Sequence, residues 1–518
     1  MADITRGVRA FTVGTAISRV FGLLRESVFA FLYGAGRSTD AFVAAFRIPN
    51  LLRDLFAETA LSAAFVPILT AEKQKSKEQQ NLLASNIFNI LLLTVGVIVI
   101  VGIIIAPYLV KIIAFGFVDI PGKQALTTSL TAIMFPFLLF IAMAAWAMGY
   151  LNTEREFFFP SVAPAFFNIV SIAIPLLSYF YFVRRGIDPI YAMAYGVLIG
   201  GLLQFLIQVP VLFSKGFHYK LYINFKDPNL HKILALFVPV ALGLAASRIN
   251  VAVDTFLISF LEERSMTWLN YAFRIMHLPL GLFGIAVGTV ALPTISQHIV
   301  DKKYEEAKTT LFDSLQLVFF LTITTSIIIA FLSQPITRII YERGMFTAFD
   351  TYATTQALIL YIIGVPFIAG IRNVAAVFYA YHDAKTPMYA SFIAVASHIA
   401  ISLGLMRIIG FRAFPLATTI ASFINLAILM HKLPQKIGAF ELSPLVDYSV
   451  RLAIASIASG FVGIILHRFL MNIFGPSFLG QVSNLGISGA VTLMLCYVAC
   501  ILLGVTEVKD YIKRFLKR

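Results

Sequence analysis

Nine positively charged side chains lie inside long apolar stretches of this chain, and they are the residues best suited to chemistry. They are Arg19, Arg25, Arg47, Arg53, Lys111, Arg248, Arg274, Arg372 and Arg451. An arginine at the middle of a bilayer costs about 2.5–3.5 kcal/mol on insertion scales, so each guanidinium should face protein or water. Because guanidinium groups fork onto two phosphate oxygens, such a cluster is a candidate site for a phosphate-bearing ligand.

Some of these arginines have potential partners on their own helix, and three do not. Residues seven apart share a helical face, which predicts two stripes of opposite charge: Arg19 with Glu26, and Arg47 with Asp54 and Glu58. Arg25, Arg53 and Arg274 have no acid three or four residues away. We predict that these three lack a structural partner and line a cavity, where they would suit a diphosphate better than a monoanion.

The elements that must position these residues are membrane-spanning helices. The chain has 518 residues, of which 59% are hydrophobic and 13% charged, with a mean hydropathy of +0.86, whereas soluble proteins carry about 25% charged residues. Runs of about 20 apolar residues can span a bilayer. We count fourteen, near 8–33, 40–69, 82–115, 124–150, 157–182, 188–213, 230–260, 266–297, 309–332, 350–381, 387–407, 414–431, 446–473 and 484–507. The sequence predicts an all-α polytopic membrane protein.

The loop charges indicate how these helices are oriented. With the N-terminus inside, the inner loops and tail hold roughly twice as many lysines and arginines as the outer loops, as the positive-inside rule requires. This arrangement places both termini in the cytoplasm. It also explains most of the net charge of +14 without a nucleic-acid partner.

The chain contains two copies of one pattern. Ser18-Arg19, Phe46-Arg47-Ile48 and Val66-Pro67 return as Ser247-Arg248, Phe273-Arg274-Ile275 and Leu292-Pro293. Each copy holds six predicted spans, an even number, so both copies share one orientation. We therefore predict an N-terminal lobe at 1–213, a C-terminal lobe at 214–431, and two extra helices with a basic tail at 432–518. Two matched lobes favour an alternating-access transporter.

Polar residues other than arginine are less decisive. Asn168 and His398 lie at roughly corresponding places in the two copies, and each could form a helix-to-helix hydrogen bond or contact a ligand. We keep Asn168 as a candidate substrate contact. Nucleotide-binding, zinc-protease and nucleophile-elbow motifs are missing, so we expect no enzyme and no cofactor.

The segment from Ser18 to Leu69 resembles the MurJ (MviN) family of bacterial lipid II flippases, within the MOP exporter superfamily. The resemblance lies in SRVFGLLRE, STDAFVAAFRIPNLLRDLFAE and SAAFVPIL, and continues in LNYAFRIMHLPLGLFGIAVGTVALPTIS. It implies two six-helix lobes around a central cavity, with spans 13 and 14 forming a groove for the lipid tail. It also implies roles for these residues: Arg19, Arg25, Arg53 and Arg274 as essential cavity arginines, Asp40 and Glu58 as acids nearby, and Glu26 where the family often has aspartate.

The resemblance also implies a cation site, although this chain departs from its pattern. Asp254 and Thr418 match an aspartate of span 7 and a threonine of span 12. His398 and Ser402 stand where some members have an Asn-x-x-x-Asp pair in span 11. An unpaired carboxylate in a span should bind a cation or a proton, and histidine titrates near neutrality. We expect coupling to Na+ or H+ at these four residues.

These observations predict a flippase that moves undecaprenyl-diphosphate-linked peptidoglycan precursor, lipid II, from the inner to the outer leaflet of the bacterial cytoplasmic membrane. We expect a monomer that contacts lipid II and membrane lipids. Two alternatives remain open. One is another MOP-type exporter, for a different polyprenyl-linked glycan or a drug, and the other is a membrane scaffold that transports nothing.

Overall fold

The computed structural model is almost entirely helical. It describes residues 2–56, 59–505 and 507–509, with side chains except at 2–10, 54–56, 59–60, 62–63, 239–248, 285–290 and 292. Most of the residues in those ranges are helical, and no strand occurs among them. The predicted all-α class is therefore confirmed.

The first of two compact units comprises Met1–Thr267. Its helices are α1 (Ala2–Tyr33), α2 (Arg37–Phe56), α3 (Thr59–Lys75), α4 (Lys77–Ile104), α5 (Ala106–Ile113), α6 (Lys123–Met134), α7 (Phe137–Thr153), α8 (Phe158–Arg184), α9 (Ile190–Leu206), α10 (Val209–Ser214) and α11 (Pro228–Ile258). A short 3-10 helix, Phe115–Asp119, follows α5.

The second unit comprises Trp268–Arg518, and the boundary falls near the start of α12 (Ser265–Pro279). The remaining helices are α13 (Ile285–Val300), α14 (Tyr304–Phe331), α15 (Ser333–Tyr341), α16 (Ala348–Ile362), α17 (Val365–Ala380), α18 (Lys385–Ile409), α19 (Ala413–Lys432), α20 (Pro434–Ile437), α21 (Ser443–Phe474) and α22 (Phe478–Leu502). Lobe boundaries at 213 and 431 remain predictions, because compactness in one conformation does not define which helices move together.

Nine helical stretches among the described residues are long and apolar enough to cross a membrane. The protein is therefore a membrane protein, while the count of fourteen spans remains a prediction. The helices α1 and α2 are not among the nine, because each carries several charged residues. The charges that suggest a binding site are thus the same charges that weaken the hydropathy signal.

Two predicted spans are each built from two helices that meet near a proline. Pro136 separates α6 from α7, and Pro366 is in the first turn of α17, just after α16 ends. A proline lacks the backbone N–H that would continue the helix and clashes with the preceding turn. The chain breaks between helices at these two prolines, whereas Pro49 and Pro67 lie inside α2 and α3.

The helices α7 and α17 end in the same type of backbone turn. Arg155 and His382 both have a left-handed conformation, with φ of 58° and 56°. In each turn the next N–H, that of Glu156 or Asp383, bonds to the carbonyl five residues back. This is the Schellman type of helix ending, which satisfies carbonyls at the helix end. The same ending follows α10 and α13, at Gly216 and Lys302, so it is a local feature of helix ends and the internal repeat remains a prediction.

The acidic residue in each of these two turns forms an ion pair with a lysine, which follows α10 in one case and lies in α20 in the other. Glu156 pairs with Lys215 at 3.3 Å, and Asp383 pairs with Lys436 at 2.9 Å. The hydrogen bond from Lys436 and those from Thr386 lower the pKa of Asp383 to about 2. One pair therefore connects the turn after α7 to the residue that follows α10, and the other connects the turn after α17 to α20.

The connection between α10 and α11 is bonded along its length to one face of α4. Side chains of α4 bond to the backbone of residues 216–224, which we call the strap; the contacts are Asn81 to Gly216, Ser85 to Lys220, Asn86 to Asn224, and Asn89 to Lys220 and Tyr222. Asn86 makes two of them, accepting from the N–H of Asn224 at 2.7 Å and donating to its carbonyl at 3.1 Å. The strap is therefore a docked part of the first unit.

Candidate functional site

The guanidinium of Arg25, on α1, is buried and contacts the side chains of Glu26 and Phe167. Arg25 and Glu26 are 8% and 7% exposed, and Nη2 of Arg25 donates to Oε1 of Glu26 at 2.6 Å. The ring of Phe167, on α8, lies under the guanidinium, with its centroid 5.3 Å from Cζ. The prediction that Arg25 lacks a structural partner is wrong. We considered only acids three or four residues away, and the partner is the adjacent residue.

The other candidate arginine positions in the first unit are more open. Arg19 is exposed on α1, and Arg53 is half-buried in the last turn of α2, where a cation also stabilises the helix dipole. Asn168 of α8 donates to the carbonyl of Ser18 at 3.2 Å, so it forms the helix-to-helix hydrogen bond that was one of its two interpretations. Glu58 lies outside the described residues.

The carboxylate of Asp40, at the predicted outer end of the helices, is buried and accepts several hydrogen bonds. Its carboxylate is 2% exposed and accepts from the backbone N–H groups of Arg264 and Thr267 at 2.8 and 3.0 Å. It also accepts from the hydroxyl of Thr267 at 2.6 Å and from Nζ of Lys123 at 3.2 Å. A carboxylate at the first N–H groups of a helix satisfies donors that have no partner within that helix. Asp40 thus caps the start of α12.

Lys123 is a residue that sequence reasoning did not single out. Its side chain is 1% exposed, and its Nζ lies 4.2 Å from the ring centroid of Phe117. A buried ammonium needs a paired anion, and that requirement alone could have directed attention to Asp40. The local sequence around Lys123 contains no sign of which acid it meets.

Asp254 lies half-buried on α11, and the residue that follows it, Thr255, contacts one of the arginines inside the apolar stretches. Its neighbour Thr255 accepts a hydrogen bond from Nη1 of Arg47 at 3.0 Å, so Arg47 connects α2 to α11. The predicted stripe from Arg47 to Asp54 and Glu58 cannot be assessed, because those two acids lie outside the described side chains. Arg47 has a structural contact in any case.

The remaining candidates belong to the second unit. Arg274 is exposed on α12, and His398 and Ser402 are buried one turn apart on α18. The hydroxyl of Ser402 has no hydrogen-bond partner among the described atoms. Thr418 is half-buried on α19, and its hydroxyl donates to the carbonyl of Phe414 at 2.9 Å, an ordinary bond within a helix. The described residues contain no cluster of three or more His, Cys, Asp or Glu side chains that could hold a metal ion.

Comparison with known proteins identifies the family to which these features belong. The family model for the lipid II flippase MurJ matches residues 29–483. A protein of Vibrio cholerae described as a probable lipid II flippase MurJ is 35% identical over 453 residues, which cover 85% of each chain. A solved structure described as lipid II flippase MurJ in an inward closed conformation is 29% identical, with a TM-score of 0.77 over 95% of this chain and 99% of that one.

A more distant solved structure shares the fold alone. An inward-facing multidrug resistance transporter of the MATE family, in the MOP superfamily, is 12% identical with a TM-score of 0.64, over 83% of this chain and 98% of that one. The match to the MurJ family model, by contrast, covers most of the sequence and includes Arg53, Asp254 and Arg274. The chain belongs to the MurJ family of lipid II flippases.

Proposed function

We propose that this protein moves lipid II, the undecaprenyl-diphosphate-linked precursor of peptidoglycan, from the inner to the outer leaflet of the bacterial cytoplasmic membrane. The observation that carries the proposal is the family match over residues 29–483. The charged residues of the helices agree with it, because a transporter of a membrane-embedded diphosphate needs cations at membrane depth. Both termini would face the cytoplasm, in accordance with the distribution of loop lysines and arginines.

The diphosphate would be held by arginine side chains. Arg19, Arg25, Arg53 and Arg274 are the residues that we assign to this role, and Arg25 has the most defined geometry. A planar guanidinium carries five N–H donors, and Glu26 accepts from one of its terminal nitrogens. A guanidinium can fork onto two phosphate oxygens, and a lysine cannot reproduce that bidentate contact.

The contacts of Asp40 are ones that an alternating-access cycle would have to break. Its carboxylate binds the N-terminal end of α12 and a buried lysine near the predicted outer end of the helices. Opening toward the outer leaflet would require these bonds to be exchanged for water. We propose that breaking the contacts of Asp40 is one step of the transition.

A coupling cation would bind at the residues that the family resemblance implies. We propose that Asp254 with Thr418, together with Ser402 or His398, binds Na+ or H+. The proposal is supported by residue chemistry, because hard cations take oxygen ligands and a histidine can carry a proton near neutral pH. Movement of one charge through the membrane potential contributes up to about 2.3 kcal/mol per 100 mV.

Depletion of the protein from its host tests the function. We expect cells to lyse with lipid II retained in the inner leaflet, and purified protein in vesicles to expose labelled lipid II on the opposite face. Normal export of peptidoglycan precursor in depleted cells would refute the proposal. Transport of a different polyprenyl-linked glycan or of a cationic drug, without lipid II, would favour another MOP-type exporter.

A further inference from the structure

We infer that Phe167 is a positioning residue for Arg25, holding the guanidinium in place by a cation–π contact while the arginine binds the diphosphate. The inference rests on the proposed function. Phe167, on α8, is aromatic and apolar, so it does not stand out when charged or polar site residues are sought in the sequence. The sequence signal is only a phenylalanine beside Asn168 in an apolar helix.

The geometry separates two kinds of contact on one guanidinium. Its hydrogen-bond donors all lie in the plane of the group, and Glu26 uses this edge at 2.6 Å. The Cζ of Arg25 lies over the ring of Phe167, 5.3 Å from its centroid, within the range of a cation–π interaction. The ring carries no oxygen or nitrogen acceptor, so it restrains the guanidinium through its π-system rather than through an ordinary hydrogen bond.

Burial makes this contact stronger than the same contact on a protein surface. Arg25 and Phe167 are each 8% exposed, so little water competes for the cation. Cation–π interactions grow when the pair is desolvated. The ring of Phe167 therefore adds a restraint on the guanidinium to the one that the carboxylate of Glu26 provides.

Helix α9 packs closely against Phe167 at Gly200. A methyl group added at Gly200 would meet the carbonyl oxygen of Phe167 at 2.8 Å and its ring at 3.0 Å, so only a glycine permits this approach. Phe137 packs against the Phe167 ring with centroids 5.4 Å apart, and Phe46 packs against Phe137 at 5.7 Å. The ring beneath Arg25 is one end of an aromatic chain through α8, α7 and α2.

Progressive fluorination of the ring tests this inference in the full-length protein. Phenylalanine with one, two or three fluorine atoms is introduced at position 167, which weakens the negative face of the ring in steps and changes its shape little. We measure equilibrium binding of lipid II to the purified protein. The control is the same series at Phe88, whose ring contacts are aromatic, with Trp146 and Phe205.

We expect the affinity for lipid II to fall stepwise at position 167, to about one fifth with three fluorines, the loss that corresponds to a partly buried cation–π contact. At position 88 it should not change. A flat series at 167, with Arg25→Ala still weakening binding, would refute the role of Phe167 and leave the proposed function intact. Equal declines at both positions would also refute it. If Arg25→Ala binds lipid II like the wild type, the arginine site itself is wrong.

Discussion

Replacing Asp40 with alanine should destabilise the protein strongly, because the change leaves a buried ammonium without its carboxylate. The side chains of Asp40 and Lys123 are 2% and 1% exposed, with 3.2 Å between Oδ2 and Nζ. Three further bonds to Asp40 are lost together, two from backbone N–H groups and one from the hydroxyl of Thr267. The Asp40→Ala variant therefore loses an ion pair and the cap of α12.

The magnitude follows from the burial of the pair. Removing one partner of a buried ion pair costs about 3–5 kcal/mol, because the other charge stays desolvated and unpaired. The Lys123→Met variant should cost less, because Asp40 keeps three hydrogen bonds from Arg264 and Thr267. In the double variant the unpaired ammonium is absent, and we expect it to recover about 2 kcal/mol relative to the sum of the single changes.

The assay is reversible unfolding of the purified protein in mixed detergent, with the free energy of unfolding measured for the four members of this cycle. The matched control is Asp447→Ala. Asp447 forms a 2.8 Å ion pair with Arg451, but these side chains are 58% and 47% exposed, so its removal should cost at most about 1 kcal/mol. An Asp40→Ala variant as stable as the control, or a double variant that shows no coupling, would refute the reasoning.

Three further outcomes are expected. Arg25→Ala should abolish growth in a complementation assay while the protein still accumulates in the membrane, and Arg25→Lys should rescue poorly; full growth with alanine would contradict the diphosphate role. The stability that Asp383 gains from Lys436 should be present above about pH 4 and decline as the pH falls toward about 2, because the folded-state pKa is lowered. The thermal stability difference between wild type and Asp383→Asn should therefore shrink between about pH 5 and about pH 3, and a difference that grows would show the wrong sign. Asp254→Asn should change the dependence of flipping on potential, sodium or pH, and an unchanged rate under all three would reduce Asp254 to a structural residue.

Features that depend on local sequence were predictable. The all-α membrane class follows from composition, the helix break at Pro136 follows from proline chemistry, and the family follows from the segment between Ser18 and Leu69. The repeat was also visible in the spacing of Arg–Ile and Pro residues. Composition, proline positions and motifs are properties of the sequence itself, so they can be read without knowing which helices meet.

Features that depend on contacts between distant helices were not predictable. Asp40 meets Lys123 and Thr267, which are 83 and 227 residues away, and nothing in the spacing of these residues identifies the pairing. The ring beneath Arg25 lies on another helix, at Phe167. Arg25 itself was misassigned for a local reason, because side chains of adjacent helical residues usually diverge and we did not test Glu26 as its partner.

The strap restricts how the length of the connection between α10 and α11 can change. Backbone groups of Lys220, Tyr222 and Asn224, every second residue, bond to α4, while Leu221 between them is 82% exposed. In an extended chain successive backbone groups point to opposite sides, so inserting one residue reverses the side that each later group faces. Insertions or deletions of two residues keep that alternation. Homologous chains that dock the same segment should therefore differ here by even numbers of residues, and a reporter peptide placed in this connection should disturb the protein even though the site resembles a permissive linker.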